Sequence, residues 1–131
     1  MAIEEGKKAP AFTLPDENGD KVKLTDLTGQ WIVLYFYPRD DTPGCTIQAC
    51  DFTSGIKGFE KLGAVILGCS PDDGESHQKF IKKHKLKIHL LSDPSHRVME
   101  KYGAWGEKNM YGKITRGVIR STVLIDPAGR V

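Results

Sequence analysis

Apolar positions along this chain fall into two patterns. Residues 32–37 (I-V-L-Y-F-Y) and 64–68 (A-V-I-L-G) are unbroken runs of β-branched, aliphatic and aromatic side chains, the signature of strands buried on both faces. Phe12 and Leu14, then Val22 and Leu24, instead alternate with polar residues on either side of Asn18-Gly19, a hairpin turn signal. This predicts a small N-terminal hairpin acting as a lid on one end of the domain. Residues 25–29 form a turn or single helical turn into the first buried strand. Leu90-Leu91 predicts a short third strand and residues 121–125 a fourth, followed by the turn Asp126-Pro127-Ala128-Gly129.

Between the strands the spacing turns helical. Residues 75–84 place Phe80, Ile81 and His84 on related faces, and Cys69 to Gly74 reads as the loop before them. Asp93-Pro94 supplies an N-cap and a first-turn proline for a helix running to Tyr102, which Gly103 stops. Residues 105–117, rich in glycine and lysine, read as a loop. Strands alternating with helices at this spacing predict βα units, and hence an α/β fold with a central, mostly parallel sheet flanked by helices. No repeat, linker or low-complexity segment interrupts residues 1–131, which read as one domain. The chain reaches Val131 just after a turn, where a partner strand would begin, so the expectation is a truncated C-terminal end.

The sharpest break in the pattern follows Tyr37. Pro38 stops the strand, and Thr42-Pro43-Gly44 leads into a helix with Thr42 as N-cap and Pro43 at the first helical position. Cys45 then lies in the first turn, where the positive end of the helix favours the nucleophilic thiolate. On a helical wheel Ala49, Phe52, Ile56 and Phe59 fall within ~40° of Cys45, which puts that cysteine on the core-facing stripe. Cys50 lies about 140° around, with its Cα ~8.6 Å away. A disulfide needs Cα atoms closer than about 7 Å, so a Cys45–Cys50 bridge requires the first turns to unwind.

Composition narrows the function. Nineteen basic against seventeen acidic side chains create no strong field, which argues against nucleic acid or an anionic membrane as partner. Lys82-Lys83-His84-Lys85 reads as a solvated helix face. The charged first ten residues lack the apolar core of a signal peptide, and no window approaches the ~20 apolar residues of a membrane span. The expected setting is a reducing, cytoplasmic compartment, where paired cysteines are catalytic or metal-binding more often than structural.

Cys45, Cys50 and Cys69 fit the candidate chemistries unequally. Zinc sites want short paired spacings that the four histidines do not supply with these cysteines. An iron–sulfur site would need a further cysteine soon after the first pair. A thioredoxin-type C-x-x-C is absent, because four residues intervene. A reactive thiolate with a resolving thiol on the same helix remains, and no metal or cofactor is called for. Plainer roles stand beside this one: Thr42 as a cap, Pro38 as a strand terminator, Cys50 and Cys69 as small buried hydrophobes, Arg120 as a surface charge. Asp40 and Asp41 oppose thiolate formation unless they point away or pair with Arg39.

The stretch Y-F-Y-P-R-D-D-T-P-G-C-T at 35–46 resembles the P-x₃-T-x₂-C signature of peroxiredoxins, and Cys50 within T-I-Q-A-C resembles the peroxiredoxin Q or bacterioferritin comigratory protein subgroup. The likeness extends through L-L-S-D-P at 90–94, Tyr102-Gly103 and G-V-I-R-S-T-V-L-I-D at 117–126. It implies a thioredoxin-like fold and a thiol peroxidase acting on hydrogen peroxide and organic hydroperoxides. Cys45 would attack the peroxide and become a sulfenic acid. Thr42 and Arg120 would hydrogen-bond the peroxide and the thiolate, and Pro38 would shield the sulfur. Cys50 would close an intramolecular disulfide, reduced by thioredoxin or a similar dithiol protein. A monomer or weak homodimer is expected. Cys69 stands where the family generally has an apolar residue and is an alternative resolving thiol. A thiol–disulfide oxidoreductase, a peroxide-sensing redox protein and a non-enzymatic redox-responsive interaction protein are the competing functions.

Overall fold

The computed structural model describes residues 3–110 and 112–131. The hairpin around Asn18-Gly19 forms as expected: strands β1 (Thr13–Pro15) and β2 (Lys21–Lys23) pair antiparallel, and a 3-10 turn over Leu24–Leu27 follows. Gly19 takes the left-handed backbone (φ 81°) that the tight turn needs. Strand β3 (Trp31–Phe36) leads to helices α1 (Pro43–Ser54) and α2 (Ile56–Lys61), which break at Gly55. Next come β4 (Ala64–Ser70), α3 (Gly74–His84), β5 (His89–Ser92) and α4 (Arg97–Lys101). Strands β6 (Trp105–Met110), β7 (Lys113–Val118) and β8 (Ser121–Ile125) complete the chain.

The central sheet has the order β5-β4-β3-β8. β3, β4 and β5 run parallel and β8 pairs antiparallel with β3, so the sheet is mixed with a parallel majority. Its unbroken apolar strands follow from burial on both faces. Ile32, Leu34 and Phe36 point to one core with Leu67, Cys69, Leu91, Met99 and Tyr102. Val33, Tyr35 and Tyr37 point to the other with Cys45, Ala49, Ile66, Phe80 and Leu90. Each fully buried leucine or phenylalanine contributes about 1.5–3 kcal/mol relative to exposure. Gly68 pairs with Tyr35 across β3 and β4, and a Cβ there would stand 2.8 Å from the Tyr35 ring and from Leu90. The missing side chain makes room for the tyrosine.

Three expectations are corrected. Residues 105–117 are mostly an antiparallel hairpin of β6 and β7, not a loop. Most of β7 is exposed, so it carries no burial alternation to read. The helix expected from Asp93 starts at Arg97, because His96 adopts a left-handed backbone (φ 62°) just before it. Asp93 nevertheless reaches forward to cap: its carboxylate accepts from the Met99 backbone N–H at 2.9 Å. Cys69 lies within β4 rather than in the loop after it.

Candidate active site

Thr42 sits at the N-cap of α1 with extended backbone, and Pro43 opens the helix where its missing N–H costs nothing. The Thr42 hydroxyl, however, makes no capping bond. It donates to the Arg39 carbonyl at 2.9 Å, tightening the loop before the helix. The expected side-chain cap is therefore not made, and the helix N–H groups beyond Thr42 have no bond from its hydroxyl.

Cys45 is 1% exposed and packs with Ala49 against the core around Tyr35 and Tyr37, as the helical wheel requires. Arg120, in the connection between β7 and β8, brings Nη2 to 3.0 Å from Cys45 Sγ. Its Nη1 donates to Gln48 Oε1 at 2.7 Å, so one forked side chain is held at both ends. Gln48, half-buried, lies one helical turn beyond Cys45 and was not singled out from sequence, because a lone glutamine carries no signal of its own. Arg120 passes close over Gly44, where a Cβ would stand in ordinary contact, 3.4 Å from Nη2. Beside this group opens a cleft of about 550 Å³ lined by Gly44, Ile47, Gln48, Asp51, Phe52, Phe59 and Arg120. Pro38 lies half-buried in the loop between β3 and α1.

Cys50 is half-buried on the same unbroken helix, and all three cysteines are free thiols. Cys69 faces the opposite core, across the sheet from Cys45. Burial, with Asp93 nearby, pushes its thiol well above the ordinary range and keeps it protonated. The structure thus brings Cys45, Arg120 and Gln48 together, with Thr42 and Pro38 in the adjoining loop. It leaves Cys69 outside.

The two aspartates bond to side chains of α3 rather than pairing with Arg39. Asp40 is buried and accepts from the Tyr37 hydroxyl, from Ser76 Oγ at 2.7 Å and at 2.7 Å from His77 Nδ1. Its backbone N–H donates to Asp72 at 2.7 Å. Exposed Asp41, in a left-handed conformation (φ 57°), binds Lys83 and His84 at 2.7 and 2.8 Å. Those hydrogen bonds hold its carboxyl below the usual range.

Residues 5–131 match the family model described as AhpC/TSA family. Peroxiredoxin Bcp of Bacillus subtilis (strain 168) is 50% identical over 131 residues, covering all of this chain and 83% of that protein. Peroxiredoxin Bcp of Escherichia coli (strain K12) is 43% identical over 98% of this chain and 83% of its own length. The solved structure of the Xanthomonas campestris bacterioferritin comigratory protein, studied for its alkyl peroxide reduction activity, superposes with a TM-score of 0.90 at 38% identity. It covers 98% of this chain and 84% of that one. The chain belongs to the AhpC/TSA family and, within it, to the peroxiredoxin Q or Bcp group of thiol-dependent peroxidases.

Proposed function

We propose that this chain reduces hydrogen peroxide and organic hydroperoxides through Cys45, in a cycle completed by Cys50 and an external dithiol. The observation that carries the reading is the 3.0 Å contact of Arg120 Nη2 with Cys45 Sγ at the first turn of α1. Guanidinium and helix terminus together bring positive charge and donors to the sulfur and to the oxygen it would attack. As the thiolate attacks, the O–O bond breaks and charge grows on the departing oxygen. Arg120 donors fixed nearby stabilise that charge. Thr42 joins by exchanging the Arg39 carbonyl for a peroxide oxygen, and Pro38 screens the sulfur from bulk water.

The product, a Cys45 sulfenic acid and an alcohol or water, is open to further oxidation until a thiol captures it. Cys50 is the thiol supplied on the same helix. Attack by Cys50 sulfur on Cys45 sulfur forms the disulfide and releases water. In the folded helix the two Cα atoms stand ~8.6 Å apart, beyond disulfide reach, so resolution unwinds the start of α1. Thioredoxin or a similar dithiol protein then restores both thiols, in a cytoplasmic setting.

Peroxide consumption with a dithiol reductant tests the assignment. Cys45→Ser abolishes turnover while Cys69→Ser retains it; turnover surviving in Cys45→Ser would overturn the reading.

A further inference from the structure

We infer that His77 is a buried imidazolium that neutralises Asp40 and so spares the Cys45 thiolate the field of an uncompensated carboxylate. The inference rests on the reading of Cys45 as the reactive thiol, but its core is the geometry of the pair. His77 is 0% exposed, and each ring nitrogen faces an acceptor: Nδ1 lies 2.7 Å from Asp40 Oδ2, and Nε2 lies 3.0 Å from the Leu91 carbonyl. A neutral imidazole donates through one nitrogen only, whereas the protonated ring donates through both and satisfies both partners. Asp40 in turn accepts from Tyr37, Ser76 and His77, the pattern of an ionised carboxylate.

The surroundings point the same way. Burial alone would hold the His77 ring down, but hydrogen bonding and attraction to Asp40, then the Leu91 carbonyl and the charge of Asp72, carry it above its ordinary value. Asp72 accepts from the Asp40 backbone and from Ser70. Lys79 and Lys83 line the solvent side beside Asp41, Asp73 and Glu75, where water screens them.

The connection to the cysteine runs through Tyr35. Its ring stacks on Tyr37, whose hydroxyl binds Asp40, and on Phe52 of α1. Burial first, then the charges of Cys45 and Asp40, raise the Tyr35 hydroxyl far above the ordinary tyrosine range. Cys45, Tyr35 and Tyr37 belong to one buried cluster, and Asp40 is bonded to it through the Tyr37 hydroxyl. Asp40 without its counter-ion would oppose the thiolate across the same low-dielectric core. His77 is therefore a positioning residue that acts through Asp40, not on the peroxide.

Two measurements test this, neither needing peroxidase activity. Long-range ¹H–¹⁵N spectra of the wild-type chain at neutral pH show both His77 ring nitrogens protonated; a single neutral tautomer overturns the inference. Alkylation of Cys45 by iodoacetamide, followed against pH by peptide mass spectrometry, reads the field. His77→Asn moves the acid limb to higher pH, whereas Asp40→Asn does not. A folded His77→Asn with an unmoved limb, or an upward move in Asp40→Asn, contradicts it. If His77→Asn does not fold, the wild-type spectrum still decides. Loss of peroxide turnover alone would bear on the function of Cys45, not on this pair.

Discussion

Cys45 and Cys69 are the same residue type, each at most 1% exposed, on opposite faces of one sheet. Cys69 stands near the end of β4 among aliphatic and aromatic neighbours, and the charge of Asp93 disfavours its ionisation. Cys45 stands at a helix start with a guanidinium at 3.0 Å. Burial is common to both, so burial does not decide reactivity. What differs is which charges survive the burial: a cation and the helix start at Cys45, a carboxylate at Cys69. Low dielectric magnifies both effects.

The most forceful way to break this contrast is to remove the cation. Arg120→Ala lowers kcat/KM for peroxide by about 10²–10³-fold, the usual cost of losing a fixed donor at a developing charge. Arg120→Lys recovers part of it, because a lysine restores charge without the fork that reaches Sγ and Gln48 together. An unchanged kcat/KM in Arg120→Ala would show that the helix terminus suffices. A second test concerns the helix itself. Oxidation speeds amide exchange in the first turns of α1, around Cys45 to Cys50, while β4 around Cys69 stays protected. Equal protection in the reduced and oxidised forms would rule out unwinding as the route to the disulfide. The smallest effect belongs to the inert partner. Cys69→Ala lowers stability by about 1 kcal/mol, as expected for a small cavity, and leaves peroxide kinetics unchanged. Slower turnover at unchanged stability would mean that Cys69 takes part.

Much of this contrast was legible before any coordinates. The apolar runs marked β3 and β4, the Thr42-Pro43 signal marked the start of α1, and the wheel placed Cys45 with Ala49 against the core. Those features are local, so neighbouring residues report them. The Arg120 contact came into view only through family resemblance, because 75 positions separate it from Cys45. The Asp40 network stayed invisible for the same reason: its partners Ser76 and His77 lie 36 and 37 residues on, and nothing near Asp40 announces them. The β6–β7 hairpin escaped for another reason. Its second strand exposes residue after residue to solvent, so no alternation between core and water is written into it.

The account turns on which sulfur reacts and which one captures it. A stoichiometric peroxide pulse, quenched and resolved by peptide mass spectrometry, measures both at once. The prediction is Cys45 oxidised first and then linked to Cys50, with Cys69 recovered as a free thiol. A disulfide that includes Cys69, or oxidation that bypasses Cys45, would contradict it.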